Sequence, residues 1–97
     1  MFVIHETERF RRWLENLRDA QARARIVRRV ERLANGNLGD AKPVGGGVSE
    51  LRIDHGPGYR VYFIRRGDLV FLLLCGGNKQ SQSRDIILAR KIANDED

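Results

Sequence analysis

"ELRIDHGPGYRVYF", residues 50–63, is the stretch that decides how this chain folds. Leu51 and Ile53 alternate with polar residues, and Val61 and Phe63 do so again after Gly56-Pro57-Gly58. Period-two alternation on both sides of a turn rich in glycine predicts a β-hairpin. Each strand carries an arginine, Arg52 or Arg60, on the side opposite its apolar residues. A hairpin keeps matched faces together, so the two arginines share one side of the sheet. Either that side is a solvated face with solubilising charges, or it binds something negative.

Downstream, "LVFLLLC" at residues 69–75 is apolar on both faces and reads as an interior strand. Arg66-Gly67-Asp68 is a tight turn joining it to the run at 59–65, so residues 48–76 form a three-stranded antiparallel meander. Residues 36–47 carry five glycines and a proline and read as a loop. Gly45-Gly46-Gly47 lacks the lysine and following helix of a phosphate-binding loop.

Upstream, "FVIH" is a short strand candidate over residues 1–5, at the sheet edge. Phe10, Trp13, Leu14 and Leu17 then follow at helical spacing with Thr7 as N-cap. Asp19 starts a second helix whose apolar stripe is Ala22, Ile26, Val30 and Leu33, widened by Val27, and Asn35-Gly36 stops it. Residues 6–35 are therefore an αα-hairpin. Residues 80–94, capped by Ser81 or Ser83, give a final helix bearing Ile86, Ile87, Leu88, Ala89 and Ile92. The order β-α-α-β-β-β-α describes an α+β fold. Its antiparallel twisted sheet has the helical hairpin on one face, within a single domain spanning 1–97. On this reading the face carrying Arg52 and Arg60 is largely free of helices. Lys79 and the polar cluster at 80–85 reach that side.

The chain's 97 residues allow one core but no deep two-domain cleft. Eighteen Lys and Arg against 13 Asp and Glu give a net charge of +5. Lys42, Lys79 and Lys91 are the lysines, which leaves 18 − 3 = 15 arginines. Arginine's planar fork grips phosphate and stacks on bases, which favours nucleic acid, although an acidic protein or simple codon bias accounts for it too. The lone Cys75 reads as a small buried hydrophobe in a reducing cytoplasm. No signal peptide or membrane-spanning run is expected. No carboxylate or histidine cluster has ligand spacing, so no metal or other cofactor is implied.

"GVSELRIDHGPGYRVYFI" with "LLLCGGNKQSQSRDIILARKIA" resembles the RelE/ParE superfamily of type II toxin–antitoxin toxins. "FRRWLENLRD" extends the likeness over almost the whole chain, and the HigB-like branch, the addiction module killer proteins, matches best. The resemblance implies a bacterial, cytoplasmic mRNA interferase that cleaves mRNA on the ribosome, inhibits translation and arrests growth. It also implies neutralisation by a cognate antitoxin protein, HigA-like and DNA-binding. In such ribonucleases a basic cluster on the sheet stabilises charge on the scissile phosphate while the ribose 2′-OH attacks. The "GYR" arginine is Arg60, with Arg52 as a second strand cation and Lys79 as a third. The general acid or base region holds Gln82, Arg84 and Asp85 rather than tyrosine or histidine. Asp85 is accordingly a candidate base, or simply an acid in the first turn of a helix. His55 in the turn, Tyr62, Gln82 and Arg84 complete the expected RNA-binding set. The alternatives are a ParE-like, non-enzymatic inhibitor of DNA gyrase and an inactive antitoxin-binding remnant.

Overall fold

A computed structural model describes residues 1–96; Asp97 lies outside the described residues. Its elements are β1 (Val3–Glu6), α1 (Glu8–Glu15), α2 (Ala20–Ala34), β2 (Ala41–Gly45), β3 (Val48–Ile53), β4 (Tyr59–Arg66), β5 (Val70–Gly77) and α3 (Gln82–Glu96). They form a five-stranded sheet in the order β1-β5-β4-β3-β2. β1 runs parallel to β5, and the other neighbours are antiparallel.

The helix ends follow from short polar side chains that satisfy free backbone N–H groups. Thr7 Oγ1 accepts from Phe10 N at 3.0 Å and itself donates to Leu74 O at 2.6 Å, which ties α1 to β5. Asp19 Oδ1 accepts from Gln21 N and Ala22 N at the start of α2. The second helix ends at Asn35, with Gly36 beyond it, where the sequence places the stop.

The expected loop at 36–47 contains a strand. β2 pairs with β3 through Ala41, Lys42 and Pro43, and then shifts register before Gly45. Proline lacks an N–H, which an outer strand tolerates and an inner one does not. Gly45, Gly46 and Gly47 have φ of 93°, 64° and 79°, three successive left-handed residues that only glycine adopts without strain. The glycine run is thus the β2–β3 turn.

Both faces of the sheet are covered, which corrects the expectation of a helix-free side. On one face α1 and α2 pack Phe10, Ile26 and Leu33 against Leu51, Val61, Phe63, Phe71 and Leu73. On the other, α3 sets Ala89 and Ala93 over Val48, Tyr62, Ile64, Leu72 and Leu74. A register shift at Tyr62/Phe63 turns Leu74 and Cys75 to the α3 side together. The bulge also fixes where the last two residues of β5 face: a Cβ on Gly76 meets Trp13 of α1, and one on Gly77 meets Asp85 of α3.

Trp13 lies flat against Gly76, so that added Cβ falls 2.3 Å from its ring. Gly76→Ala is expected to push the indole off the strand. Overpacking of this kind costs about 1–3 kcal/mol, and a domain of this size loses roughly 4–8 °C per kcal/mol. Trp13 is the chain's one tryptophan, so thermal melting followed by its fluorescence checks both the fall and a red-shifted emission. An unchanged melt and spectrum contradict this packing.

Candidate active site

Arg52 and Arg60 are direct cross-strand partners on β3 and β4. They stand on the α3 side of the sheet, as Glu50 and Tyr62 do one pleat further along. The first turn of α3 covers Glu50 and Tyr62, which are both completely buried. Arg52 and Arg60 are half-buried beyond it. They line a shallow depression of about 270 Å³ with Asp40, Asp54, Gly58 and Tyr59.

Neither arginine is a free cation. Arg52 Nε and Nη2 both donate to Asp40 Oδ1, at 3.1 and 2.8 Å. Arg60 Nη1 donates to Gly58 O at 2.8 Å, and its Nε lies 3.3 Å from Glu50 Oε1. The Arg60 side chain is 12% exposed and that of Glu50 is 0% exposed. Gln82 Nε2 donates to the other carboxylate oxygen of Glu50 at 2.9 Å. A buried carboxylate is costly unless it is paired, so Glu50, Arg60 and Gln82 act as one unit that fixes the guanidinium from below. Glu50 Oε1, Arg60 Nε and Tyr62 Oη have no well-aligned hydrogen bond among the described residues. The contact between Glu50 and Arg60 is therefore chiefly electrostatic. Burial, with the Glu50 charge second, pushes the Tyr62 phenol well above its ordinary value.

Lys79 follows β5 and sits over the β3–β4 turn. Its backbone N donates to Pro57 O at 3.3 Å, and its Cβ lies 3.4 Å from where a Cβ on Gly58 would be. The structure therefore brings Arg52, Arg60 and Lys79 together, as the sequence implied. Lys79 is exposed, and its ammonium has no ion pair among the described residues.

The rest of the expected set is placed differently. Tyr62 is 0% exposed, so it has no ring face to offer a base. Gln82 points inward to Glu50 instead of outward to RNA. His55 turns to the opposite side: its Nε2 lies 2.9 Å from Asp19 Oδ2, so it braces the N-cap of α2. The His55 hydrogen bond and then the Ala22 N–H hold the Asp19 carboxyl below its usual value. Arg84 is exposed on the first turn of α3.

Asp85 stands over Gly77, which is the cross-strand partner of Arg60. Ser81 Oγ donates to it at 2.5 Å. It opens on a separate cleft of about 390 Å³ with Glu8, Arg9, Arg12 and Trp13, not on the arginine depression. Cys75 Sγ lies 3.9 Å from the Asp85 carbonyl, and burial pushes its thiol up to about 12. The cysteine therefore stays a protonated hydrophobe. Among the described residues no three His, Cys, Asp or Glu side chains gather into a metal-binding group. No described helix is long and apolar enough to cross a membrane.

The sequence reading missed the acids, Glu50 and Asp40. A signal was available for Glu50, which shares the face of Arg52 two residues away in a strand otherwise bound for the interior.

The family model described as phage derived protein Gp49-like (DUF891) matches residues 12–93. The chain belongs to the Gp49-like family. That family is an addiction-module toxin family related to RelE/ParE. An uncharacterised protein of Haemophilus influenzae is 45% identical over 92 residues, which make up 95% of this chain and 93% of the relative. The match of this Gp49-like chain agrees with the superfamily resemblance and does not single out the HigB-like branch. It takes in β3, β4, β5 and the buried Glu50–Arg60 pair.

Proposed function

We propose that this Gp49-like protein is the toxin of a type II module and cleaves mRNA on the ribosome. The observation that carries the reading is Arg60. Glu50 faces its guanidinium and Gly58 O accepts from it at the rim of a depression shared with Arg52, next to Lys79. Cations held in place before reaction stabilise charge as it develops, without reorganisation at that moment. In the step proposed, the ribose 2′-oxygen bonds to the adjacent phosphorus and the bond from phosphorus to the 5′-oxygen breaks. The products are a 2′,3′-cyclic phosphate and a 5′-hydroxyl end. The 2′-OH loses its proton and the departing 5′-oxygen gains one, so the step needs neither redox partner nor metal.

A cognate antitoxin is the proposed partner. The groove between α1 and α2 suits an amphipathic segment of it, since Leu14, Ala20, Ala24 and the exposed Val27 form its floor between charged residues.

One observation favours the non-enzymatic, gyrase-binding reading. Both arginines are partly neutralised by acids, which suits a binding surface better than a phosphate clamp. Mapping of RNA 5′ ends after brief induction separates the two. New ends at codon-linked positions within minutes are expected. Growth arrest without new ends, accompanied by gyrase-linked DNA damage, overturns the ribonuclease reading.

A further inference from the structure

A second group of cations stands apart from the depression. Arg25, Arg28, Arg29 and Arg32 follow one another at i, i+3, i+4 and i+7 on α2 and form one face of it. They line a groove of about 280 Å³ against the end of β3, where Ile53 and Asp54 complete the wall.

Arg29 is built into the structure. It donates to Arg52 O, Leu38 O and Asp40 O, and burial lowers its pKa. Arg25, Arg28 and Arg32 are exposed and make no ion pair or side-chain hydrogen bond among the described residues. Like charges at these spacings oppose helix formation, so the row is not there to hold α2 together.

We infer that this arginine face of α2 is a second nucleic-acid surface, one that grips the phosphate backbone of structured RNA. The inference rests on the RNA reading of the protein and adds a docking surface separate from the cleavage site. Seven residues of helix advance about 10 Å, a span that meets several phosphates, since even along one strand of DNA charges recur roughly every 3.4 Å of axis. Arginine forks engage phosphate oxygens in pairs. The groove lacks what a protein partner requires: interfaces have an apolar, charge-depleted centre, and here Ile53 is the one apolar side chain. A-form RNA is recognised through phosphates and shape, for which such a row of cations suffices.

The test is the salt dependence of binding to a short A-form RNA duplex, measured by fluorescence anisotropy with the full chain. Arg25→Gln, Arg28→Gln and Arg32→Gln together are expected to reduce the slope of log affinity against log salt by roughly 2 to 3, near 0.9 per lost phosphate contact. At near-physiological salt, binding is expected to weaken more than about tenfold. A control carrying Arg11→Gln, Arg18→Gln and Lys91→Gln loses the same net charge and is expected to keep the slope. If the triple variant misfolds by circular dichroism, Arg28→Gln alone serves, with a fall of about 0.9.

An unchanged slope, or an equal loss in the control, overturns the inference. So does a triple variant that loses affinity for a polyglutamate peptide as steeply as for RNA. Duplex binding requires no cleavage. A cleaving protein with an unaltered slope refutes the docking surface alone, and a non-cleaving one with the expected slope refutes the ribonuclease alone.

Discussion

Glu50→Ala is expected to lower the melting temperature of this domain by more than about 12 °C, because breaking a buried ion pair from one side costs about 3–5 kcal/mol and a domain of this size loses roughly 4–8 °C per kcal/mol. The carboxylate is 0% exposed and faces Arg60, whose side chain is only 12% exposed. Removing the acid leaves a mostly buried arginine without its counter-charge, and it cannot shed its proton. It also strands the Gln82 amide that now donates to Glu50. The chemistry of the loss shows in a double substitution. Glu50→Met with Arg60→Met removes both charges and fills similar volume, so it is expected to melt near the wild-type temperature despite the severity of Glu50→Ala. Such non-additivity is the signature of two groups in direct contact. A Glu50→Ala protein melting within about 2 °C of wild type would falsify the buried pair.

The same pair explains why the sequence yields the arginines but not their setting. Strand alternation places Arg52 and Arg60 on one face, and they are indeed cross-strand partners. Alternation says nothing about which acid meets which cation, because those partners come from elsewhere in the chain. Asp40 reaches Arg52 from the segment before β2, and Gln82 reaches Glu50 from α3.

The covering of the second face by α3 was hidden for a related reason. Ile86, Ile87, Leu88 and Ala89 are consecutive apolar residues, a run that wraps around the helix instead of marking a side. The residues of α3 buried in the contact are the small Ala89 and Ala93, with Ile86, Leu88 and Ile92 packed partly against it, while Ile87 remains 70% exposed. β2 was hidden by its composition, since Pro43 and the flanking glycines are loop residues wherever no neighbouring strand supplies pairing. By contrast the caps at Thr7 and Asp19 and the stripe through Ala22, Ile26 and Leu33 depend only on nearby residues, and they formed where the sequence put them.

Arg60→Lys is the substitution that tests chemistry without collapsing the core. Truncation to alanine leaves Glu50 buried and unpaired, so a loss of toxicity after Arg60→Ala follows from misfolding as readily as from a missing catalytic group. Lysine keeps a positive charge against Glu50. It gives up the planar fork, and with it the fixed direction that the Nη1 bond to Gly58 O provides. If that fixed direction is what stabilises the scissile phosphate, cleavage of ribosome-bound mRNA falls by about 10²–10³, the loss typical of removing one pre-organised donor. The melting temperature is expected to move by only a few degrees, as befits an exchange of one cation for another. Lys79→Gln supplies the comparison. Lys79 is exposed and has no ion pair among the described residues, so its loss is expected to slow cleavage less than that of the anchored Arg60. An Arg60→Lys protein that folds and cleaves at the wild-type rate removes Arg60 from the site. One that folds and scarcely cleaves shows that activity needs the guanidinium itself, in the direction its bond to Gly58 O fixes, and not merely a positive charge against Glu50.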